Sequence, residues 1–343
     1  MEPETLKSKL NLNDAIKVFI PVMFEGNRVT VNNTHYIREE GQLIPVSDTP
    51  FAQDHSFKYS KSNLKEYIEE KSKGSIKSSD VYSFSLSTIR NEKTEVLSNT
   101  IFKIPPNHYC VFDSLSYSDL DKVAQALLLA EKSGKKIIYR TSSSFVPSYI
   151  GLKPMGLIDV DKLLSSKTNH GGLTIVGSYV KKSSEQLKKA LSLFDSNTII
   201  EVDINRILGN SSSEYLNSLI RKIDKNINTG ENIIVYTSRT LVTGKDISAT
   251  INIASTVSNA LVYMINSLSV KPKYLIAKGG ITSHDLATKG LEMKRSKVIG
   301  QIAPGIPVWE MGENTKFPKL PYIVFPGNVG NKNSLKNIIQ KLN

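Results

Sequence analysis

Residues 161–343 alternate between short apolar runs and longer stretches of helical periodicity. The apolar runs predict strands at residues 173–176, 198–202, 232–236, 274–277, 297–302 and 322–325. The stretches between them predict helices at residues 183–194, 211–227 and 246–267, and a last helix at the C-terminal end. Strands that alternate with helices at this spacing are typical of a mostly parallel sheet flanked by helices. An α/β fold is therefore predicted for this part.

Residues 1–160 combine similar patterns with a predicted β-hairpin. Strands are expected at residues 16–20, 80–84, 109–112 and 136–139, and helices at residues 63–71, 92–99 and 118–132. Residues 28–37 alternate in polarity and turn at Asn32-Asn33, and asparagine tolerates the positive φ that tight hairpin turns require. A turn-rich segment follows this part. We therefore predict two α/β domains, residues 1–160 and residues 161–343.

The composition favours a soluble globular protein. A hydrophobic fraction of 39% and a charged fraction of 22% are ordinary for such chains. No apolar run approaches the ~18 residues of a membrane span, and the start lacks the pattern of a secretion signal. The single cysteine, Cys110, cannot form an internal disulfide, so a cytoplasmic location is expected. The histidines lack metal-binding spacing, so no protein metal site is predicted.

The net charge of +12 raises the question of a polyanionic partner. The lysines are spread along the chain singly and in pairs, without basic runs or interleaved aromatic ladders. Neither nucleic acid nor a membrane is therefore an expected partner. A positive field would still attract polyanionic small molecules such as nucleotides.

A double-glycine turn at Gly279-Gly280 is the first candidate for a binding site. It lies between an apolar strand and a helix for which Thr282 is the predicted N-cap, with Asp285 at capping-box spacing. Glycine allows close approach of the backbone to a ligand, and the helix start presents N–H groups and positive dipole, which suits a phosphate. An ordinary strand–helix connection is the alternative, and this stretch alone leaves both open.

Two further glycine turns, at Gly177-Ser178 and Gly327-Asn328, also follow predicted strands. The carboxyl ends of parallel strands share one edge of a sheet, where ligands of α/β proteins bind. Together the turns predict a nucleotide that is held by backbone N–H groups. The sequence has neither a P-loop nor a GxGxxG motif, so the site would differ from those two types. Ser178 would bind the ligand or cap the next helix. Lys278 would neutralise phosphate charge or lie at the surface.

Several segments share their order and spacing with one known family. They are KGGITS (residues 278–283), QIAPGIPVW (301–309), PGNVG (326–330), LTIVGS (173–178), GNRVTVNNTHY (26–36) and RTSSSFV (140–146). These segments resemble the four-carbon acid sugar kinase family over nearly the whole chain. The resemblance implies an ATP-dependent kinase, with ATP and Mg²⁺ as cofactors, that phosphorylates a small-molecule sugar acid of the threonate, erythronate or 3-oxo-tetronate type.

The resemblance also assigns candidate residues to the nucleotide. It implies ATP contacts at Ser178, Gly279, Gly280, Ile281, Thr282 and Gly327. Many members have an acidic residue at the position of Ile281, so any polar contact made there is lost in this chain.

The acid substrate has polar candidates in the first domain. They are Arg28, His35 and Arg140, because a guanidinium fork matches a carboxylate. Surface ion pairs are the alternative for the two arginines, and a cross-strand pair is the alternative for His35. Asp113, at a predicted strand end, is an acid–base candidate or a helix cap.

Two features of complete family members do not occur in this sequence: a first strand with tandem aspartates and a later Asp-Ser-Thr-Leu-Arg-Gly segment. The resemblance therefore implies a chain that lacks the N-terminal part of its first domain. The carboxylate that activates the substrate hydroxyl is expected in that part, so no catalytic residue is named. A separately encoded N-terminal half is then a candidate partner. The alternative is a nucleotide-binding module, or a truncated remnant, without kinase activity of its own. The oligomeric state stays open, with a homo-oligomer as one option.

Overall fold

Two sheets of mainly parallel strands, each with helices packed against it, form the framework of the chain. The structure is a computed structural model that describes residues 2–39, 41–53, 58–153, 155–164, 168–209, 211–239, 242 and 245–343. The contacts divide the chain into a first unit, Met1–Pro154, and a second unit, Met155–Asn343. Both units are α/β, which confirms the predicted fold class.

The first unit contains a parallel sheet and a smaller antiparallel sheet. Its strands are β1 (Ile16–Ile20), β2 (Arg28–Val31), β3 (Thr34–Glu39), β4 (Gln42–Pro45), β5 (Tyr82–Phe84), β6 (Tyr109–Phe112) and β7 (Ile137–Thr141). Its helices are α1 (Glu2–Lys9), α2 (Leu64–Lys71), α3 (Leu86–Asn91), α4 (Thr94–Phe102), α5 (Tyr117–Lys132) and α6 (Phe145–Ile150). The parallel sheet has the order β5-β6-β1-β7, and β2, β3 and β4 form the antiparallel sheet.

The central strand β1 is buried on both faces of its sheet. Its Ile16, Val18 and Ile20 belong to the same apolar cluster as Leu120, Val123 and Leu127 of α5, whose i, i+3, i+7 spacing puts them on one helix face. On the other face, Phe19 packs with Leu64 and Ile68 of α2. Helices therefore cover both faces, which is why β1 is apolar at every position except Lys17 rather than alternating in polarity.

A buried carboxylate holds the predicted hairpin. Asn32 and Asn33 have φ of 49° and 62°, which confirms the tight turn between β2 and β3. Asp113, which directly follows β6, accepts the N–H of Asn32 at 2.8 Å and that of Asn33 at 2.9 Å. Burial raises the pKa of this carboxyl, whereas these N–H groups and that of Leu86 oppose the rise. Asp113 therefore serves the hairpin turn and accepts the N–H of Leu86, whereas Ser85 is the N-cap of α3 and Ser116 is the N-cap of α5. The helix-cap interpretation of Asp113 is wrong.

The second unit is built on a mixed sheet in which the parallel strands predominate. Its strands are β8 (Leu173–Val176), β9 (Ile199–Val202), β10 (Ile233–Thr237), β11 (Leu275–Lys278), β12 (Ser296–Ala303), β13 (Ile306–Met311) and β14 (Pro321–Phe325). Its helices are α7 (Val160–Leu163), α8 (Lys181–Ala190), α9 (Ile204–Leu208), α10 (Ser212–Asn228), α11 (Ile247–Ser267), α12 (Gly280–Asp285) and α13 (Ser334–Leu342). The strand order is β12-β13-β14-β11-β8-β10-β9. None of the helices in the described part of the chain is long and apolar enough to cross a membrane.

Helices cover both faces of this second sheet. One apolar cluster joins the strands to α10 and α11, and the other joins them to α8 and α13. Strands β12 and β13 pair in an antiparallel fashion at one end of the sheet, and β13 also runs antiparallel to β14. The sequence interpretation does not include β13, because Pro307 interrupts its alternating pattern and proline weakens a strand prediction. It also misses the short elements α3, α6, α7, α9 and β4.

The predicted capping box at the start of α12 is wrong. The helix begins at Gly280, with Gly279 in the N-cap position, so Thr282 lies inside the first turn. The carboxylate of Asp285 bonds to the Ser258 hydroxyl and lies 2.9 Å from the Lys289 ammonium instead of capping the helix start. A π-helical turn, Leu286–Gly290, continues the helix, which the sequence pattern does not predict.

Removing the Asp113 carboxylate tests its role as the acceptor for the hairpin turn. The substitution Asp113→Ala leaves the backbone N–H groups of Asn32, Asn33 and Leu86 without this acceptor, so we expect a loss of ~1–3 kcal/mol in the free energy of unfolding. Urea denaturation measures this loss. Asp121→Ala, at an exposed position of α5, is the matched control and should change stability little. Equal stability of the two variants would contradict this role.

Candidate functional site

The three glycine turns predicted from the sequence follow neighbouring strands. Strands β14, β11 and β8 lie side by side and parallel, and Lys278 is in register with both Phe325 and Val176. The chain therefore leaves all three strands at the same level of the sheet. This brings Gly177-Ser178, Gly279-Gly280 and Gly327 to one place on its carboxyl edge, as the sequence predicts.

Gly279 occupies a position that only glycine fits. Its φ of 123° lies in a region that L side chains rarely adopt, and its N–H donates to the carbonyl of Phe325 at 2.9 Å. A Cβ on Gly279 would lie 2.9 Å from Ser178 Cβ and 3.1 Å from Thr282 Oγ1. A Cβ on Gly177 would likewise collide with Thr282 Oγ1. The turns at Gly177-Ser178 and Gly279-Gly280 are therefore in direct contact, which places Ser178, Gly279 and Thr282 together.

Gly280 and Ile281 open the helix α12 and face free space. A Cβ on Gly280 would meet no described atom within 4 Å, and Ile281 is 76% exposed. The first N–H groups of a helix have no acceptor within that helix, so they are available to a ligand. The start of α12 thus combines open volume with donors, although Ile281 itself adds an apolar side chain there.

Lys278 is buried beneath the turns rather than exposed. Its side chain is 0% exposed, and Nζ donates to the carbonyls of Pro326 at 2.7 Å and Gly327 at 3.1 Å. The ammonium also lies 4.3 Å from the centre of the Phe325 ring. Burial, together with the nearby charge of Lys182, lowers the pKa of Lys278 to about 7. The surface alternative for Lys278 is therefore wrong.

Ser183 links Ser178 to the turn at Gly327. The Ser183 hydroxyl lies 3.1 Å from Ser178 Oγ and 3.2 Å from the carbonyl oxygen of Gly327. The N-cap of α8 is Val180, so Ser178 does not cap that helix. A Cβ on Gly327 would lie 3.4 Å from Ser178 Oγ, so the turns at Gly177-Ser178 and at Gly327 are also neighbours.

Arg239 adds a half-buried cation that the sequence pattern does not single out as a candidate. Its guanidinium donates to the carbonyl of Ser178 at 2.8 Å and to the carbonyl and hydroxyl of Thr237, each at 3.0 Å. Burial lowers the pKa of Arg239, but this group stays charged at neutral pH. Its position two residues after β10, the neighbour of β8, is the signal that could have identified it.

A cavity in the first unit brings the substrate candidates together. It has a volume of about 270 Å³ and is lined by Phe19, Pro21, Arg28, His35, Val46, Tyr59, Lys61, Ser62, Leu64 and Tyr67. Arg28 is half-buried, and burial lowers its pKa, although a guanidinium remains charged. Arg140 does not line the cavity, but its Cζ lies 5.1 Å from the centre of the ring of Phe19, which does. All three predicted substrate residues therefore lie in or beside one cavity.

His35 is both a cross-strand partner and a wall of this cavity. It lies opposite Thr30 in the hairpin, with Nδ1 3.0 Å from Thr30 Oγ1, as the alternative interpretation of this residue proposed. The side chain is 6% exposed, and burial together with the charge of Arg28 lowers its pKa to about 3. His35 is therefore neutral at physiological pH, which leaves the positive charge of the cavity to other residues.

The described residues show no cluster of metal-ligating side chains. They contain no group of three or more His, Cys, Asp or Glu side chains that could hold a metal ion. Asp113, the acid–base candidate, has both carboxylate oxygens engaged by the hairpin amides.

Two family models match the chain. A sugar-binding N-terminal domain matches residues 1–149, and a nucleotide-binding C-terminal domain matches residues 173–335. The expectation that the chain lacks the N-terminal part of its first domain is not supported, because the sugar-binding domain is present. The glycine turns fall within the nucleotide-binding match, and the cavity falls within the sugar-binding match.

Two solved bacterial structures illustrate the similarity in fold. A Salmonella typhimurium LT2 protein labelled a tRNA synthase has 13% sequence identity and a TM-score of 0.68, over 98% of this chain and 75% of that one. A Haemophilus influenzae protein of the DUF1537 family has 17% identity and a TM-score of 0.58, over 99% of this chain and 77% of that one. At these identities the likeness shows the fold alone. No curated protein sequence matches the chain.

The buried ammonium of Lys278 should make stability depend on pH. Its pKa is about 7 in the folded chain, well below the ~10.4 of an unfolded lysine, so the unfolded state binds more protons between these values. Stability therefore rises as pH increases through this range, and Lys278→Met should remove that part of the rise. Urea denaturation between about pH 6 and pH 9 measures the slope. Lys189→Met, at an exposed position of α8, should keep the wild-type slope. Parallel pH profiles for wild type and Lys278→Met would contradict the expectation.

Proposed function

We propose that this chain is an ATP-dependent kinase that phosphorylates a hydroxyl group of a four-carbon sugar acid, given that its two domains and structural neighbours fit the four-carbon acid sugar kinase family. The observation that carries the proposal is the convergence of three glycine turns on one sheet edge of the nucleotide-binding domain. Threonate, erythronate and 3-oxo-tetronate-type acids are the proposed substrates.

The proposed nucleotide site combines hydrogen-bond donors and positive charge with open volume. Phosphoryl transfer depends mainly on positioning and on neutralising phosphate charge. The start of α12 offers backbone N–H groups beside the open volume at Gly280, and the half-buried Arg239 supplies fixed positive charge behind the Ser178 turn. We propose ATP contacts at Ser178, Gly279, Gly280, Ile281, Thr282 and Gly327. Mg²⁺ would be held largely by the phosphates, as is usual for this ion in kinases, and would neutralise their charge.

The cavity in the first unit has a size and a charge that suit a small sugar acid. About 270 Å³ suits a small metabolite rather than a drug-sized ligand. Arg28 provides a guanidinium group that lines the cavity, and Arg140 provides a second one that contacts Phe19 beside it. Guanidinium groups match a carboxylate in geometry and charge. His35 stays neutral there, so it can contact hydroxyl groups without competing for the carboxylate.

An assay of ADP formation tests the proposed activity directly. The purified chain is incubated with MgATP and with threonate, erythronate or a 3-oxo-tetronate, and we expect ADP release that depends on one of these acids. Mass spectrometry should then show the phosphorylated acid. Tight MgATP binding without phosphorylation of any four-carbon acid would contradict the kinase assignment and favour a nucleotide-binding module.

A bulky side chain at Gly280 should block the nucleotide site. Because this position faces open volume at the start of α12, Gly280→Leu is expected to fold and yet to fill the space proposed for phosphate. Calorimetry should show MgATP affinity reduced by at least tenfold. Gly156→Leu is the matched control, since a Cβ there also meets no described atom within 4 Å. Unchanged affinity of Gly280→Leu would move the nucleotide away from α12.

Removal of the Arg28 guanidinium should weaken binding of the acid. A lost charge-assisted contact amounts to ~1.5–3 kcal/mol, so Arg28→Met should raise KM for the acid roughly ten- to a hundredfold, with KM for MgATP little changed. Arg38→Met, at an exposed position of the same hairpin, is the control and should leave both constants unchanged. Equal KM values for the acid in Arg28→Met and wild type would place the acid elsewhere.

A further inference from the structure

The loop that follows β14 has its carbonyl groups held by buried side chains. Lys278 Nζ donates to the carbonyls of Pro326 and Gly327, at 2.7 and 3.1 Å. Ser183 Oγ lies 3.2 Å from the same Gly327 carbonyl oxygen. Gln186 Nε2 donates to the carbonyls of Val329 at 3.1 Å and Asn331 at 2.8 Å. All three side chains are 0% exposed, so the loop carbonyls point into the protein.

Inward carbonyls orient the amides of the loop outward. In a trans peptide the C=O of one residue and the N–H of the next point in opposite directions, and none of the described peptide bonds is cis. The inward carbonyls of Pro326, Gly327 and Val329 therefore direct the N–H groups of Gly327, Asn328 and Gly330 to the outer side. Backbone N–H groups gathered on one side of a turn form a concavity that binds anions.

This amide-bearing loop lies beside the other glycine turns. A Cβ on Gly327 would lie 3.4 Å from Ser178 Oγ, and Ser183 Oγ lies between Ser178 Oγ and the Gly327 carbonyl oxygen. Gly279 also donates its N–H to the carbonyl of Phe325, the last residue of β14. The outward amides therefore border the edge to which we assign the nucleotide phosphates.

We propose that Lys278, Ser183 and Gln186 are positioning residues that orient the amides of residues 327–330 toward the nucleotide phosphates, and that Lys278 does not itself contact phosphate. The inference rests on the proposed function and assigns a role within that site. A lysine that contacts phosphate directly extends its ammonium to the ligand as a point charge. The Lys278 ammonium is instead enclosed and already donates to two carbonyls, out of three possible hydrogen bonds.

The role of Gln186 separates positioning from charge. Its amide carries no charge, yet it holds the far end of the same loop. Its Oε1 atom has no hydrogen-bond partner within the described residues, although it is buried, so the two carbonyls account for the orientation of this side chain. If the loop geometry is what matters, loss of Gln186 and loss of Lys278 must have the same kind of effect.

The experiment compares Lys278→Met and Gln186→Met, which remove the donors while keeping side-chain length. Hydrogen exchange of a peptide that covers residues 326–332 reports the loop in the unliganded protein, and calorimetry reports affinity for MgATP and for adenosine. Both variants should exchange faster in this peptide and bind MgATP at least tenfold more weakly, with adenosine binding unchanged because adenosine lacks phosphate. The exposed Lys189→Met and Gln340→Met are the matched controls and should behave as wild type.

Three results would overturn the inference. Weaker MgATP binding in Lys278→Met with unchanged loop exchange would mean that Lys278 contacts the nucleotide directly. Faster exchange with unchanged MgATP affinity would mean that the loop amides do not serve the nucleotide. Weaker MgATP binding in Lys278→Met with unchanged binding in Gln186→Met would mean that the charge of Lys278, and not the orientation of the loop, determines MgATP affinity. If Lys278→Met fails to fold, Ser183→Ala and Gln186→Met carry the same expectation.

Failure of the proposed function gives a different pattern of results. A wild-type chain that does not bind MgATP would contradict the kinase assignment, and this inference with it. A wild-type chain that binds MgATP, with variants that bind it equally well, would contradict only the positioning role.

Discussion

The common register of β14, β11 and β8 is the constraint on which the second unit's site depends. Because Lys278 lies level with Phe325 and Val176, the three strands end together and their turns touch. Gly177 and Gly279 have no room for a side chain, since each would collide with the neighbouring turn. Gly279 is therefore required for its backbone conformation, and both glycines are required for the packing between the turns. The resulting edge is rich in backbone groups and leaves open volume at Gly280.

A buried charge at a strand end holds a turn in each unit. In the first unit, Asp113 follows β6 and accepts backbone N–H groups of the hairpin turn. In the second, Lys278 ends β11 and donates to backbone carbonyls of the loop after β14. Burial disfavours the charged form of both groups, so the pKa of the acid rises and that of the base falls. Backbone dipoles compensate part of this penalty, which couples each charge to the geometry of one turn.

Much of the framework follows from periodicity. The apolar runs locate the central strands, and the glycine turns that follow them predict one sheet edge, as the structure confirms. The Asn32-Asn33 pair predicts the hairpin, because few residues other than glycine adopt positive φ readily. The predictions that depend on capping are less successful: neither Thr282 nor Ser178 is an N-cap. A hydroxyl residue near a helix start fits several roles, and contacts between turns distant in sequence select among them.

The sequence by itself determined the α/β class, the order of the longer strands and helices apart from β13, and the glycine-bearing edge, because these depend on local periodicity and on φ preferences. Only the tertiary structure decided that Lys278 is buried, that Ser183 and Gln186 hold a loop more than a hundred residues away in sequence, and that Arg28 and His35 share a cavity. Burial and hydrogen-bond partners of these polar side chains depend on neighbours from other strands and helices. No local pattern encodes those neighbours, which come together only when the sheets form.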